Sequence, residues 1–385
     1  MIADGNVIGW IAAAYWCVSI TLLLLSVAAA LVQPWLAEKR ARRKDQPPVS
    51  IVLPVKSLED GFDETQESVF AQNYPHIDVT AAAQETASPA LDHIQAIFAR
   101  HPEVATRILH STKKFAASPK VDNLFEPFTR AANDTILMKD ANVLLEPDAL
   151  AEHMRQLNED VGLVCGIPYC DRLDNFPAQV EAAIINNAHA RMLYLASALG
   201  QGHGVGKIML FRRSDFERAG GFSAIDHTVG EDNAMAKAME RIGKKAVFSH
   251  RPVRQILGRR SFLDVYRRQM RWSVIRRKEE LLSFLAEPIC QALPALVAAG
   301  LAAPVAEVAP TTAIAATLGL WLGAETLLSI AKGWQLSMAA PLALLVREAL
   351  VMAVWANAWI TEEVVWANGR VRVRVSPPAA PKKEG

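Results

Sequence analysis

Cysteine is scarce in this chain of 385 residues, which has only Cys17, Cys165, Cys170 and Cys290. None stands at the spacing of a zinc site or a disulfide framework. That excludes a thiolate-held metal and a stapled extracellular scaffold, and ordinary thiols in a reducing compartment fit best. Net charge is lacking as well. The formal balance is +1, with 41 Lys and Arg against 40 Asp and Glu. The basic residues fall in local clusters near apolar segments, a pattern of membrane-proximal patches and not of a nucleic-acid groove. A basic start is also missing, since Asp4 is the only charge before the first apolar run. A cleaved signal peptide would have a basic start, a shorter apolar run and a small-residue cleavage site.

Apolar residues are abundant. They make up 51% of the chain, and the mean hydropathy of +0.13 averages a polar middle with apolar ends, as in an integral membrane protein. Residues 7–32 carry no charge. As a helix they would extend about 39 Å, enough to cross about 30 Å of hydrocarbon. Lys39, Arg40, Arg42, Arg43 and Lys44 follow at once. The positive-inside rule therefore puts the N-terminus outside and the chain after residue 38 in the cytosol; the expected location is the inner membrane of a bacterium. The expected organisation is a transmembrane helix at 7–32, a basic linker at 33–47, a cytosolic domain at 48–285, membrane segments within 286–361 and a basic cytosolic tail at 362–385.

The cytosolic part has the rhythm of an α/β domain with a mostly parallel sheet, flanked by the transmembrane helices. Strands are expected at 50–55, 78–83, 106–110, 135–138, 162–164, 207–211 and 245–248, and ligands of such sheets bind at the carboxyl ends of strands. Three further apolar segments lie near 289–305, 309–330 and 337–360. If all three crossed, the basic tail with Arg370, Arg372 and Arg374 would end outside. One of them is therefore expected to be re-entrant or interfacial. The first is broken by Pro294 and Pro304, and the third carries Arg347 and Glu348.

Asp140 follows the fourth strand, with Asn142 two residues on. Oxygen ligands at a sheet edge suit Mg²⁺ or Mn²⁺, which a departing nucleotide diphosphate needs, although Asp and Asn after a strand also make ordinary turns. Glu231 and Asp232 open a helix whose Met235, Met239 and Ile242 share one face. They either decorate its N-terminus or provide a general base. Arg268 and Arg271 lie three apart on one helical face and could grip a diphosphate beside Trp272. The same stretch, continuing to Arg276, Arg277 and Lys278, reads equally as a basic helix on anionic lipid. Gly200, Gly202, Gly204 and Gly206 mark a flexible loop around His203. His189, alone on a helix, and Lys113, Lys114 and Lys120 have bland structural or solvated readings as their default.

The order of these motifs resembles the ceramide glucosyltransferases, inverting membrane enzymes with the nucleotide-diphospho-sugar transferase (GT-A-like) fold. The resemblance covers about 49–288. It rests on Ser118-Pro119-Lys120-Val121-Asp122-Asn123-Leu124, Asp140-Ala141-Asn142-Val143, the stretch 161–169, Ala219-Gly220-Gly221-Phe222, Glu231-Asp232-Asn233-Ala234-Met235-Ala236-Lys237-Ala238 and Arg268-Gln269-Met270-Arg271-Trp272. It implies that Asp140 binds a metal-diphosphate, that Asp232 is the catalytic base and that Arg268, Arg271 and Trp272 hold the donor. His189 matches a family histidine, and Lys120 and Glu231 lie in family motifs. Where the family has an Asp that contacts the nucleotide, this chain reads Gln84-Glu85-Thr86, so that role falls to Glu85. The implied partners are a UDP-sugar, a lipid acceptor and the bilayer, with UDP-glucose and ceramide as the leading pair. Bacterial hopanoid N-acetylglucosaminyltransferases resemble the family throughout. A processive polysaccharide synthase or a non-catalytic membrane scaffold are the remaining alternatives.

Overall fold

A computed structural model of the chain describes residues 7–41, 43–366 and 369–373. Arg42 and, within the basic tail, residues 367, 368 and 374–385 lie outside the described residues. Along the chain run α1 (Val7–Arg40), β1 (Val49–Pro54), α2 (Phe62–Glu67), β2 (Ile77–Ala83), α3 (Pro89–Arg100), β3 (Ala105–His110), α4 (Pro119–Thr129) and β4 (Thr135–Lys139). Then come β5 (Val143–Leu144), α5 (Ala149–Met154), β6 (Val161–Cys165), β7 (Pro168–Leu173), α6 (Phe176–Ala182), a π-helix over Ala183–Ala190 and α7 (Arg191–Ala198). β8 (Ile208–Arg212), α8 (Arg213–Arg218), α9 (Glu231–Arg241), β9 (Lys245–Phe248) and β10 (Val253–Gly258) follow. The last part holds α10 (Phe262–Glu279), α11 (Leu281–Ala286), α12 (Ala292–Ala302), α13 (Pro310–Lys332), α14 (Ala340–Ala358), β11 (Glu363–Trp366) and β12 (Gly369–Arg372).

Packing divides the chain into two units. One comprises Gln33–Asp171 and Ala196–Gly258, and the other comprises the chain up to Val32 with Arg172–Leu195 and Arg259–Val373. The first unit is built on a seven-stranded sheet in the order β3-β2-β1-β4-β8-β6-β9. It is mostly parallel, with β8 antiparallel to both of its neighbours. The β1 sequence VSIVLP explains its central place: Val49, Ile51, Val52 and Leu53 are all fully buried, as befits a strand covered on both faces. Because β8 runs against β4, it begins where β4 ends, with Lys139 opposite Ile208. The carboxyl end of β4 and the residues before β8 therefore share one edge. Lys139 pins the turn there. Its ammonium group is fully buried and donates to the carbonyl oxygens of Thr65 and Val143 at 2.8 Å each and of Asp140 at 3.3 Å.

In the second unit, α1, α13 and α14 are each long and apolar enough to span a bilayer, and a pair of shorter helical pieces, Leu281–Cys290 and Ala292–Ala302, meets at 59°. That break falls at Gln291, ahead of Pro294, whose ring is tolerated only in the first turn of a helix. The expected basic tail begins instead with an antiparallel pair of strands, β11 and β12. Glu362 just before them accepts from Arg277 and Lys278 of α10.

A buried ionic network ties these helices together. The Arg347 guanidinium donates to Glu325 at 2.9 and 3.2 Å, to Glu348 and to the carbonyl of Ala183. Arg191 donates to Ser26 at 2.8 Å and lies 3.9 Å from Glu325. Two arginines thus balance two carboxylates, so desolvation is offset only while the set is complete. Arg347→Ala should lower the stability of the purified protein in detergent by about 3–5 kcal/mol, because it strands buried carboxylates. Arg347→Leu with Glu325→Leu removes one charge of each sign and should recover most of that loss. Thermal unfolding of both variants checks the prediction; equal destabilisation by the single and double changes would contradict it.

Candidate functional site

The carboxyl edge of the sheet gathers charge. Lys120, in the first turn of α4, puts its ammonium 2.8 Å from Asp140 Oδ1 and 3.3 Å from Glu231 Oε1, and donates to the Gly206 carbonyl at 3.1 Å. Lys207, brought to the same edge by the antiparallel β8, lies 3.3 Å from Asp140 Oδ2 and 3.2 Å from Asn142 Oδ1. Asn142 in turn donates to Glu59 at 3.0 Å. Burial works to raise the Asp140 carboxyl, but the two ammonium groups outweigh it and hold the group below the usual carboxylate range. Burial pushes the Glu231 carboxyl up; the Lys120 charge opposes this, while Asp232 next to it adds to the rise.

Asp232 sits in the first turn of α9, where it is held by backbone. Its Oδ2 accepts from the Gly206 amide at 2.8 Å and its Oδ1 from the Asn233 amide at 2.9 Å. The glycine run that reads as a flexible loop is instead a tightly fitted one. A Cβ on Gly204 would lie 1.8 Å from the Asp232 carbonyl oxygen, and one on Gly202 would lie 2.2 Å from that of Ala246. Close backbone approach, not mobility, is what these glycines provide. Other motif residues shape the edge without entering it. Asp122 accepts from the amides of Phe115 and Ala116, and Asn123 donates to the Ala82 carbonyl. Gly220, at φ 109°, makes the left-handed turn that delivers Phe222 against Phe115, Phe125, Phe128 and Phe216.

Of the candidates read from sequence, Lys120, Asp140, Glu231 and Asp232 therefore meet directly. Glu85 stands exposed just past the end of β2. Arg268, Arg271, Trp272 and His189 belong to the other unit. Within it, Arg268 donates at 2.7 Å to Glu181, which is fully buried, and His189 on the π-helix faces Trp272 with ring centroids 5.8 Å apart. Arg271 lies on α10, partly buried. The basic residues that follow have partners within the protein. Arg276 pairs with Glu287, Arg277 donates to the carbonyls of Trp359 and Thr361, and Lys278 pairs with Glu362.

Lys207 and Glu181 were missed in the sequence. Lys207 opens an expected strand and carries no motif, and only the antiparallel pairing of β8 reveals it. Glu181 is one acid on a helix, and its partner is 87 positions away. Asp140 and Asn142 offer a carboxylate and an amide oxygen from one turn, the hard donors that Mg²⁺ or Mn²⁺ prefers, and here those oxygens pair with Lys120 and Lys207. Among the described residues, the group of three ligating side chains whose ligand atoms lie within 4.8 Å of one another is elsewhere: Glu38, Glu152 and His250. There Arg155 already binds both carboxylates.

The model of glycosyl transferase family 21 matches residues 18–379. Ceramide glucosyltransferase 1 of Caenorhabditis elegans is 24% identical over 232 residues, 60% of this chain and 50% of that protein. The ceramide glucosyltransferase of Komagataella phaffii is 26% identical over 117 residues, 29% of this chain and 23% of that protein. The chain thus spans half or less of the length of these relatives. Among solved structures, the mannosyltransferase PcManGT from Pyrobaculum calidifontis, in complex with GDP-Man and Mn²⁺, has a TM-score of 0.50 at 17% identity, covering 90% of this chain and 99% of that one. That likeness shows the nucleotide-diphospho-sugar transferase fold. With its family model matched over nearly its whole length, the chain belongs to glycosyl transferase family 21.

Proposed function

We propose that this glycosyltransferase moves a hexose from a UDP-sugar, UDP-glucose, to the hydroxyl of a membrane lipid, ceramide, by a single inverting displacement on the cytosolic face of a bacterial inner membrane. The observation that carries this reading is the meeting of Asp140, Lys120, Lys207, Glu231 and Asp232 at one sheet edge. Their chemistry divides between a leaving diphosphate and an attacking hydroxyl. The names of the curated relatives supply ceramide and glucose as the candidate pair.

Asp232 is the general base in this account. Two backbone amides fix its carboxylate, which takes the proton of the acceptor hydroxyl as that oxygen bonds to the anomeric carbon. The bond from that carbon to the diphosphate breaks with inversion. Lys120 and Lys207 present two positive charges to the departing phosphates. Asp140 and Asn142 would hold Mg²⁺ or Mn²⁺, which supplies further neutralisation of the diphosphate. Glu231 keeps Lys120 in place through their contact. Glu85 is assigned to the nucleotide, Arg268, Arg271 and Trp272 to the donor near the leaving group, and His189, against Trp272, to the acceptor side.

Purified full-length protein given UDP-glucose and ceramide in micelles should form β-glucosylceramide, identified by mass and anomeric proton coupling. An α-linked product would overturn inversion, and turnover only with another lipid or sugar would overturn the substrate pair. Asp232→Asn should keep donor binding and lose turnover by at least about 100-fold, the low end for a general base.

Arg271 separates a donor grip from a general positive charge. A guanidinium fork and an ammonium are not interchangeable on a diphosphate. Arg271→Lys should therefore keep membrane association and lower turnover strongly in the same micellar assay. Near-wild-type turnover would remove Arg271 from the site.

A further inference from the structure

By length and composition α14 passes for a membrane span. We propose that it does not cross: it lies within the leaflet on the side where α1 ends, as a lipid-facing in-plane helix. The inference concerns sides relative to α1 and is independent of the reaction assigned above.

The pairings along the helices fix their directions. Trp16 donates to Thr317 at 3.0 Å, Leu23 packs on Trp321, and Arg191 links Ser26 to Glu325. Positions rise together on α1 and α13, so the two run the same way and end on the same side. Helix α12 runs oppositely, with Ala292 and Ala295 beside Leu23 and Ala298 and Ala302 beside Ala12. The chain thus comes back with α13 to the side on which α1 ended, and α14 starts there.

Before, along and after α14 the chain then meets elements that never left that side, while the middle of the helix also pairs with Glu325 of α13. Ser337, just before it, donates to Gln179 at 2.7 Å, and Arg347 near its middle donates to the Ala183 carbonyl at 3.2 Å. Glu348 accepts from the Leu293 amide in the first turn of α12. Near the far end, Trp355 donates to the Phe284 carbonyl at 2.9 Å and Asn357 to Tyr266 at 3.1 Å, while the carbonyls of Trp359 and Thr361 accept from Arg277. Apart from Glu325 of α13 and Leu293 at the start of α12, those partners belong to α6, the π-helix, α10 and α11. Among the described residues, no helix between α1 and α11 is long and apolar enough to cross. A 19-residue helix that crossed would carry its end about 28 Å away. Its end instead touches α10, whose arginines forbid burial in hydrocarbon.

The other face of α14 fits a lipid partner. Leu342, Leu345, Ala349, Ala353 and Ala356 are exposed and recur at helical spacing as one apolar stripe, while Arg347 and Glu348 point to the protein. Placed this way, the strands β11 and β12 with Arg370 and Arg372 share the side of the basic residues after α1, as the positive-inside rule asks.

The test uses the full chain with its four cysteines replaced and single cysteines introduced as Lys44→Cys, Met338→Cys or Ile360→Cys. Lys44, Met338 and Ile360 are all exposed, and the last two flank α14. Each variant is labelled with a membrane-impermeant maleimide in right-side-out and in inverted vesicles. All three should label in the same vesicle orientation. Labelling of positions 338 and 360 from opposite sides would overturn the proposal, as would labelling of both from the side opposite to position 44. A protease-cleavable tag after Gly385 gives a second reading should lipid shield either cysteine. Its cleavage from the side of position 44 supports the proposal, and cleavage from the other side overturns it.

Discussion

Two ammonium groups on a single half-sheltered carboxylate set the character of the sheet edge. Asp140, Glu231 and Asp232 come close together there, and three carboxylates without counter-charge would repel one another and raise their own pKa values. Lys120 spans Asp140 and Glu231, and Lys207 covers the second oxygen of Asp140. Both lysines depend on the fold for their place. Lys120 comes from the start of α4, and Lys207 arrives because β8 runs antiparallel between β4 and β6. The backbone then completes the arrangement. Gly204 approaches α9 more closely than a side chain would allow, and the nearby Gly206 amide holds Asp232.

The membrane unit is organised by the same kind of constraint in a drier setting. Arg191, Glu325, Arg347 and Glu348 are buried, and each is acceptable only because the others are present. The network takes in α1 through Ser26 and α12 through Leu293. The π-helix takes part as well. Its Asn187 donates to the Glu325 carbonyl and to Ser329, and its Ala183 carbonyl accepts from Arg347. A widened helical turn of this kind often marks a functional segment, and here it also carries His189.

Much of this was legible in the sequence where burial imposes a simple pattern. The runs at 50–55 and 245–248 are strands within a residue or so of expectation, and the first reads as a continuous apolar, β-branched stretch because β1 is covered on both faces. Helix α9 follows from Met235 and Met239 on one face, and Asp140 from its place after β4. What escaped depends on partners distant in sequence. No local signal pairs Arg268 with Glu181, Arg276 with Glu287 or Lys278 with Glu362, or brings Lys207 to Asp140. Composition misleads at α14. Nineteen mainly apolar residues look alike whether they cross a leaflet or lie in it, and only the partners at both ends distinguish the two.

The central claim is that the Asp140 edge receives a metal-bound nucleotide diphosphate. Calorimetric titration of UDP-glucose into the purified full-length protein tests it directly, in excess EDTA and with Mg²⁺ or Mn²⁺, and again with Asp140→Asn. The account predicts binding that strengthens with the metal, and a loss of at least about tenfold in affinity, or about 1.4 kcal/mol, on Asp140→Asn. Equal affinity with and without metal, unchanged by Asp140→Asn, would contradict it.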